Sequence, residues 1–221
     1  MNILFEDKNL IVCVKPRGVS SQLGDGENMI ALLNSHFSEN GEKAEAFPVH
    51  RLDKETSGVM VYAKSSACAA LLSKQITGGA IRKHYYAVIR GLPEEKNGIM
   101  KDLLFRDKAK NKTFVVNRKR GGVKEASLEY EIIGEAQGFA LADILLHTGR
   151  THQIRAQFSS RGFPLYGDRR YGGCAGELAL FAYRLEFRHP FSGEMLDFSS
   201  LPDTSSTPWR LFEFSGDPVK Q

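Results

Sequence analysis

His50-Arg51-Leu52-Asp53-Lys54-Glu55-Thr56-Ser57-Gly58 runs directly into Val59-Met60-Val61-Tyr62-Ala63-Lys64. The first stretch is a polar loop around one aspartate. The second is an apolar, partly β-branched run that reads as a strand. Catalytic groups are commonly displayed on polar loops fixed to rigid strands, so Asp53 is the first candidate for chemistry. Arg51 stands two residues before it and Gly58 five residues after. Asp53 taken alone reads equally as a turn or cap residue.

Working outward, the pattern is mainly β. Asn9–Val14 is a strand ended by Lys15-Pro16-Arg17-Gly18. Met29–Phe37 has the helical spacing of Ile30, Leu33 and Phe37, and residues 39–46 read as a loop. Ser65 or Ser66 caps a helix with Leu71, Leu72 and Ile76, stopped by Gly78-Gly79. Arg82–Arg90 is a strand whose alternation puts Lys83, Tyr85, Ala87 and Ile89 on one face. Thr113–Val116 is a strand between charged turns. Ala126–Ile133 and Phe139–Leu146 form a hairpin around Gly134-Glu135-Ala136-Gln137-Gly138. Leu178–Phe187 and Met195–Phe198 are strands, and Pro208–Phe214 a short terminal helix. Strands outnumber helices and sequential strands can pair as hairpins. The expected class is α+β, one domain over 1–221 with its core about 10–202, built on a mixed, largely antiparallel sheet flanked by helices and loops.

The totals exclude more than they identify. A chain of 221 residues, 42% hydrophobic and 25% charged, is an ordinary globule. The net charge of +4 does not announce a nucleic-acid binder. Between Lys101 and Lys124, however, nine Lys/Arg face two Asp, a local charge of +7. Such a segment is either a solvated loop or hairpin or a phosphate-attracting surface. Cys13, Cys68 and Cys174 are scattered, which argues against a disulfide framework or thiolate zinc site and suits a reducing cytoplasm. No signal peptide and no membrane-length apolar run is visible. His50, His147 and His152 fit no metal-binding spacing, so no metal is expected.

The second chemistry-bearing string is His147-Thr148-Gly149-Arg150-Thr151-His152-Gln153-Ile154-Arg155. It reads as a strand end, a glycine turn, and a helix capped by Thr148 or Thr151 and stopped near Gly162. Arg150 beside a helix start suits a phosphate or carboxylate. Arg155 follows His152 by three and Thr151 by four, one helix face. Arginine is the natural partner of an anionic aspartate, and such a pair keeps the carboxylate ionised as a nucleophile must be.

These strings resemble the RluA-type pseudouridine synthases. HRLD-x-x-TSG is matched by His50–Gly58, and TGR-T/S-HQ-I/L-R by Thr148–Arg155. K-x-Y-x-A is matched by Lys83, Tyr85 and Ala87, and the early K-P-x-G turn by Lys15, Pro16 and Gly18. G-D-x-x-Y-G is matched by Gly167, Asp168, Tyr171 and Gly172, and the late h-P-x-x-G-E by His189, Pro190, Gly193 and Glu194. The blocks run in family order from about Leu10 to Pro202.

The resemblance implies an isomerase that converts specific uridines of rRNA or tRNA to pseudouridine. It implies Asp53 as nucleophile, Arg155 as its partner and Tyr85 as the surface on which the target base stacks. Arg51, Arg150, His152, Lys83 and Lys15 are the expected substrate-binding residues. Breaking N1–C1′ and forming C5–C1′ involves no redox change, so no cofactor is expected. Attack at ribose C1′, attack at base C6, and a glycal route all remain open. Gln157 departs from the histidine that many relatives carry there, a change expected to alter a phosphate contact. The pattern starts near Met1, so no N-terminal S4 RNA-binding domain is expected. The partner is RNA, with no membrane or small-molecule cofactor, and a monomer is the default. Two other readings are a catalytically silent RNA-binding or ribosome-assembly module, and an Asp/His hydrolase of nucleotides. The second lacks a G-x-S-x-G elbow.

Overall fold

The computed structural model describes residues 1–24 and 26–214. The fold is α+β, and the chain divides into two compact units. The first comprises Met1–Arg82 and Ala182–Pro202; the second comprises Lys83–Phe181 with residues 203–214.

In the first unit, β1 (Asn2–Glu6) and β2 (Leu10–Lys15) form an antiparallel hairpin. Asp7 closes its turn by accepting from the Asn9 and Leu10 amides at 2.7 and 2.8 Å. Asp7 also bonds His189 at 3.0 Å, and the His189 Nδ1 accepts from the Ser192 amide. The late His189–Glu194 block is therefore a turn lock, packed on the first hairpin. Helix α1 (Met29–Glu39) is capped by Asn28 and buries Met29, Ile30, Leu33 and Phe37. The short strand β3 (Phe47–Pro48) pairs with β4 (Ser57–Ala63), which runs antiparallel to β2. Helix α2 (Ser66–Thr77) is capped by Ser65.

Leu10 and Val12 share one buried cluster with Val59, Val61 and Ala63, and α2 adds Cys68 and Leu72 to it. Ile11, Cys13, Met60 and Tyr62, the alternate residues, are fully buried too. Both faces of β2 and β4 are thus covered, which is why these strands read as continuous rather than alternating apolar runs. Gly58 sits at φ +133°, and a Cβ there would collide with the backbone of Ala182. The glycine that ends the Asp53 loop is therefore required by close strand approach.

The second unit contains β5 (Arg82–Arg90), β6 (Asn97–Asp107), β7 (Lys112–Val116), β8 (Val123–Ala136) and β9 (Phe139–Leu146). Their order is β5-β9-β8-β6-β7, and every neighbour pair is antiparallel. Helix α3 (Gln153–Ser160) follows. Strand β10 (Leu180–Arg188) pairs with β11 (Met195–Ser199), antiparallel, in the first unit. An isolated parallel bridge joins Ser20 to Asn28.

The structure departs from the sequence pattern at several places, among them β6, which occupies a stretch read as charged turns. Strand β1 carries no clear strand signal, because its half-buried residues alternate weakly. The five-residue loop expected at Gly134 is a two-residue turn, Gln137-Gly138, with both residues at positive φ. Gly134 lies inside β8 beside a register shift, where it meets the Phe212 ring. The expected terminal helix is a single 3-10 turn, Trp209–Leu211. The basic stretch is a hairpin followed by the start of β8. No helix among the described residues is long and apolar enough to cross a membrane.

Candidate active site

The residues singled out by sequence fall into two constellations, one in each unit. In the first unit, Asp53 lies half-buried in the loop before β4. Its carbonyl accepts from the Thr56 amide at 3.0 Å, closing a tight turn. The loop is fastened from three sides. Ser21 donates to the Leu52 carbonyl at 3.0 Å. His50 accepts from the Val61 amide at 3.2 Å, which ties the loop entrance to β4. Lys15 donates to the carbonyls of Pro16 (2.8 Å), Val19 (2.8 Å) and Lys54 (3.2 Å). Arg51 is exposed, and Arg17 pairs with Glu55 on the loop's outer side.

The surroundings of Lys15, an expected substrate-binding residue, give it a structural place. Its side chain is fully enclosed, and an ammonium has three donor hydrogens, all matched by these three carbonyls. It is a clip between the Lys15–Gly18 turn and the Asp53 loop. Burial pushes its pKa down to about 8, against the opposing pull of Glu55 and Asp53.

In the second unit, Arg155 occupies the first turn of α3. Its Nε and one terminal nitrogen donate to the two carboxylate oxygens of Asp168, at 2.7 and 2.8 Å. Both side chains are almost wholly enclosed, 8% and 0% exposed, so the pair is a desolvated, two-point contact. The guanidinium also lies 5.1 Å from the centre of the Tyr171 ring. The Tyr171 hydroxyl accepts from the Thr113 amide at 2.7 Å and bonds the His152 Nδ1 at 3.0 Å. Burial raises the Tyr171 phenol above its ordinary value, which keeps that hydroxyl protonated.

The helix start differs from the expected threonine cap. The residue before α3 is His152, in the left-handed region at φ +53°, and its side chain does not cap the helix. The buried Gln153 does the local work. Its Oε1 accepts from Thr148 Oγ1 at 2.7 Å and from the Arg150 amide at 3.1 Å, and its Nε2 donates to the Ser127 carbonyl. Thr151, which precedes the helix, accepts from Thr113 through its carbonyl and from Arg106 through its hydroxyl. Thr151 and His152 therefore do not share a regular helix face with Arg155. Arg150 is exposed and anchored by Nε to the Glu125 carbonyl at 3.0 Å. Lys83 lies beside Gly149; burial first, and then the Arg150 charge, lower its pKa. Tyr85 stands opposite Ile144 of β9 and is 6% exposed.

Gln157, the departure from the usual histidine, has a structural place. It is fully buried and donates to the Met100 carbonyl and to Asp102, which ties α3 to β6. It does not reach solvent, so its amide is no phosphate contact. Gln153 and Asp168 are the functional neighbours that sequence reasoning passes over. Both stand inside the matched motifs, and a buried polar residue between a glycine turn and a helix is the available signal.

The first unit thus holds a carboxylate on a loop beside a buried cation, and the second holds a clamped arginine at a helix start. Comparison with known proteins gives the class. The family model described as RNA pseudouridylate synthase matches residues 9–160. A protein of Aquifex aeolicus named "Uncharacterized RNA pseudouridine synthase" is 35% identical over 96% of this chain and 73% of its own length. The "Ribosomal large subunit pseudouridine synthase D" of Nitrosomonas europaea is 34% identical over 92% of this chain and 62% of its own length. Among solved structures, "Human RNA Pseudouridylate Synthase Domain Containing 4" superposes with a TM-score of 0.77 at 26% identity, covering 91% of this chain and 89% of that one. The chain belongs to the RNA pseudouridylate synthase family, whose members are isomerases.

Proposed function

We propose that this protein isomerises a uridine of RNA to pseudouridine, with Asp53 as the nucleophile. The observation that carries the reading is the family match over 9–160, which contains Asp53, Tyr85 and Arg155. In this reading Arg155 is the cationic partner of the nucleophile and Tyr85 the stacking surface for the base. Arg51, Arg150, His152 and Lys83 hold the RNA, the cations through phosphate contacts that position without reading sequence. The two units act as one catalytic domain, a cytoplasmic monomer needing no cofactor. Ribosomal RNA is the first substrate to test, because the Nitrosomonas relative carries that name.

The chemistry conserves atoms. The N1–C1′ bond breaks, the base turns, and C5–C1′ forms. C5 releases its hydrogen as a proton, and N1 gains one. The target must leave its stack, at about a few kcal/mol. Stacking on an aromatic side chain returns about 1–3 kcal/mol. Unmodified rRNA and tRNA transcripts with tritium at uridine C5 test the proposal. Wild type releases tritium to water and Asp53→Asn does not. Release of free uracil would indicate a hydrolase instead. RNA binding without release from either transcript would favour the silent binding module.

A further inference from the structure

Asp168 and Tyr171 have no assigned part in the reaction, yet they surround Arg155. The turn that carries them is built tightly. Gly167 sits at φ +73°, where a Cβ would collide with the Glu177 carbonyl, and a Cβ on Gly173 would collide with that of Leu165. The Tyr171 and Gly173 amides both donate to the Asp168 carbonyl, at 3.0 and 2.8 Å. Ser159 of α3 donates to the Tyr171 carbonyl at 2.7 Å. The turn is thereby bolted to the helix that bears Arg155.

Its two side chains constrain the guanidinium in different ways. The Asp168 carboxylate grips the edge formed by Nε and one terminal nitrogen. That contact fixes rotation of the fork about its long axis and directs the remaining terminal nitrogen away from Asp168. The Tyr171 ring faces the guanidinium, and its hydroxyl is itself held by Thr113 of β7. The charge of Arg155 is already matched by a carboxylate with no exposure. Any further anion that Arg155 meets gains from a directed hydrogen bond more than from unbalanced positive charge.

The geometry points to Asp168 as a positioning residue of the isomerase reaction, which, with Tyr171, sets the orientation of the Arg155 fork. This inference rests on the proposed role of Arg155. Two readouts on the full chain separate the two ideas. The first is solvent exchange of the Arg155 Nε proton, followed by NMR on protein carrying heavy-nitrogen arginine and assigned by its loss in Arg155→Lys. Asp168→Asn turns an amide donor or a single carbonyl towards the fork, so exchange should quicken by about tenfold or more. The second is the single-turnover rate at saturating RNA, which should fall about 100-fold in Asp168→Asn with RNA affinity within about twofold of wild type.

Asp168→Glu keeps the charge pair, and with it the fold, but moves the carboxylate by one methylene. It should still lose about tenfold in rate. Combined with Arg155→Lys, Asp168→Asn should add little further loss, because its effect runs through the arginine. Unchanged exchange in Asp168→Asn, wild-type rate in Asp168→Glu, or additive losses in the double variant would each overturn the inference. An inactive wild type with the expected exchange result would instead remove the proposed function and leave the clamp standing.

Discussion

The Asp53 loop and the Arg155 helix start are both rigid, but by opposite means. Asp53 is placed by main chain: Thr56 closes its turn, and Ser21 and Lys15 hold the carbonyls of its neighbours Leu52 and Lys54. Arg155 is placed by its own side chain, through a buried carboxylate and an aromatic ring. A side chain on a backbone-held loop can be exchanged without moving the loop. A side chain that is itself part of the scaffold cannot. The proposed function draws on both: it puts the nucleophile on the loop and its cationic partner at the helix.

The largest expected effect tests the loop half directly. Asp53→Asn preserves shape and leaves the turn's main-chain bonds intact. Turnover should fall by about a thousandfold or more, as when a nucleophile is removed elsewhere, while RNA affinity and melting temperature stay near wild type. Tritium release and filter binding measure the two. Activity in a clean preparation of Asp53→Asn would end the nucleophile assignment.

Next in size is Lys15→Met. It keeps the length of the buried side chain and withdraws the donor from Pro16, Val19 and Lys54. Leaving buried acceptors without partners predicts about 1–3 kcal/mol of destabilisation in urea melts. A loop displaced by a fraction of an ångström predicts about a tenfold to hundredfold loss of rate. If stability falls and the rate at saturating RNA does not, the clip serves folding alone, and the loop is held for chemistry by its other bonds.

How far these two regions are legible in sequence differs in the same way. The Asp53 loop announces itself because its polar string, its glycine and its buried strand are adjacent in the chain, although the bonds that hold it come from Ser21 and Lys15, 31 and 39 residues from their acceptors. The strands and the Ser65 cap are legible for the same reason. The surroundings of Arg155 are not, because its clamp comes from thirteen residues further on and its ring support from Tyr171. The burial of Gln157 is not legible either, because its partners Met100 and Asp102 lie more than fifty residues away. The enclosure of Lys15 is not legible, because a turn cation is ordinarily solvated and only packing shows that this one is buried. At Gly134 a residue that usually marks a turn marks an irregularity inside a strand.

A smaller effect is expected from the basic hairpin, which should act on affinity and leave both held regions untouched. Lys108 and Lys110 lie exposed between β6 and β7, and Lys112 packs its ammonium over Phe114 and Tyr171. Replacing Lys108, Lys110, Lys112 and Arg118 with alanine should weaken RNA binding by about tenfold. The slope of log affinity against log salt should fall by about 0.7 for each single-strand phosphate that the hairpin no longer neutralises. The rate at saturating RNA should hold, with Lys112 the member most able to disturb it through Tyr171. A salt slope equal to that of wild type would take this hairpin off the RNA.

The smallest effect separates the two modes of support by pH. With its pKa lowered to about 8, Lys15 loses its charge on the folded protein while an unfolded lysine, near 10.5, keeps it. Between those values the unfolded chain binds more protons, so this group makes stability rise with pH. The neutral amine has two donor hydrogens for three carbonyls, so the Asp53 loop loosens over the same range. Turnover at saturating RNA should therefore fall severalfold as pH rises through about 8, with no matching loss in urea melts. Lys83 also has a lowered pKa and faces Arg150, so the alkaline limb needs a control. In Lys15→Met that limb should flatten if the clip is its source. A limb that persists there would transfer the titration to Lys83, and the helix region rather than the loop would then carry the pH dependence.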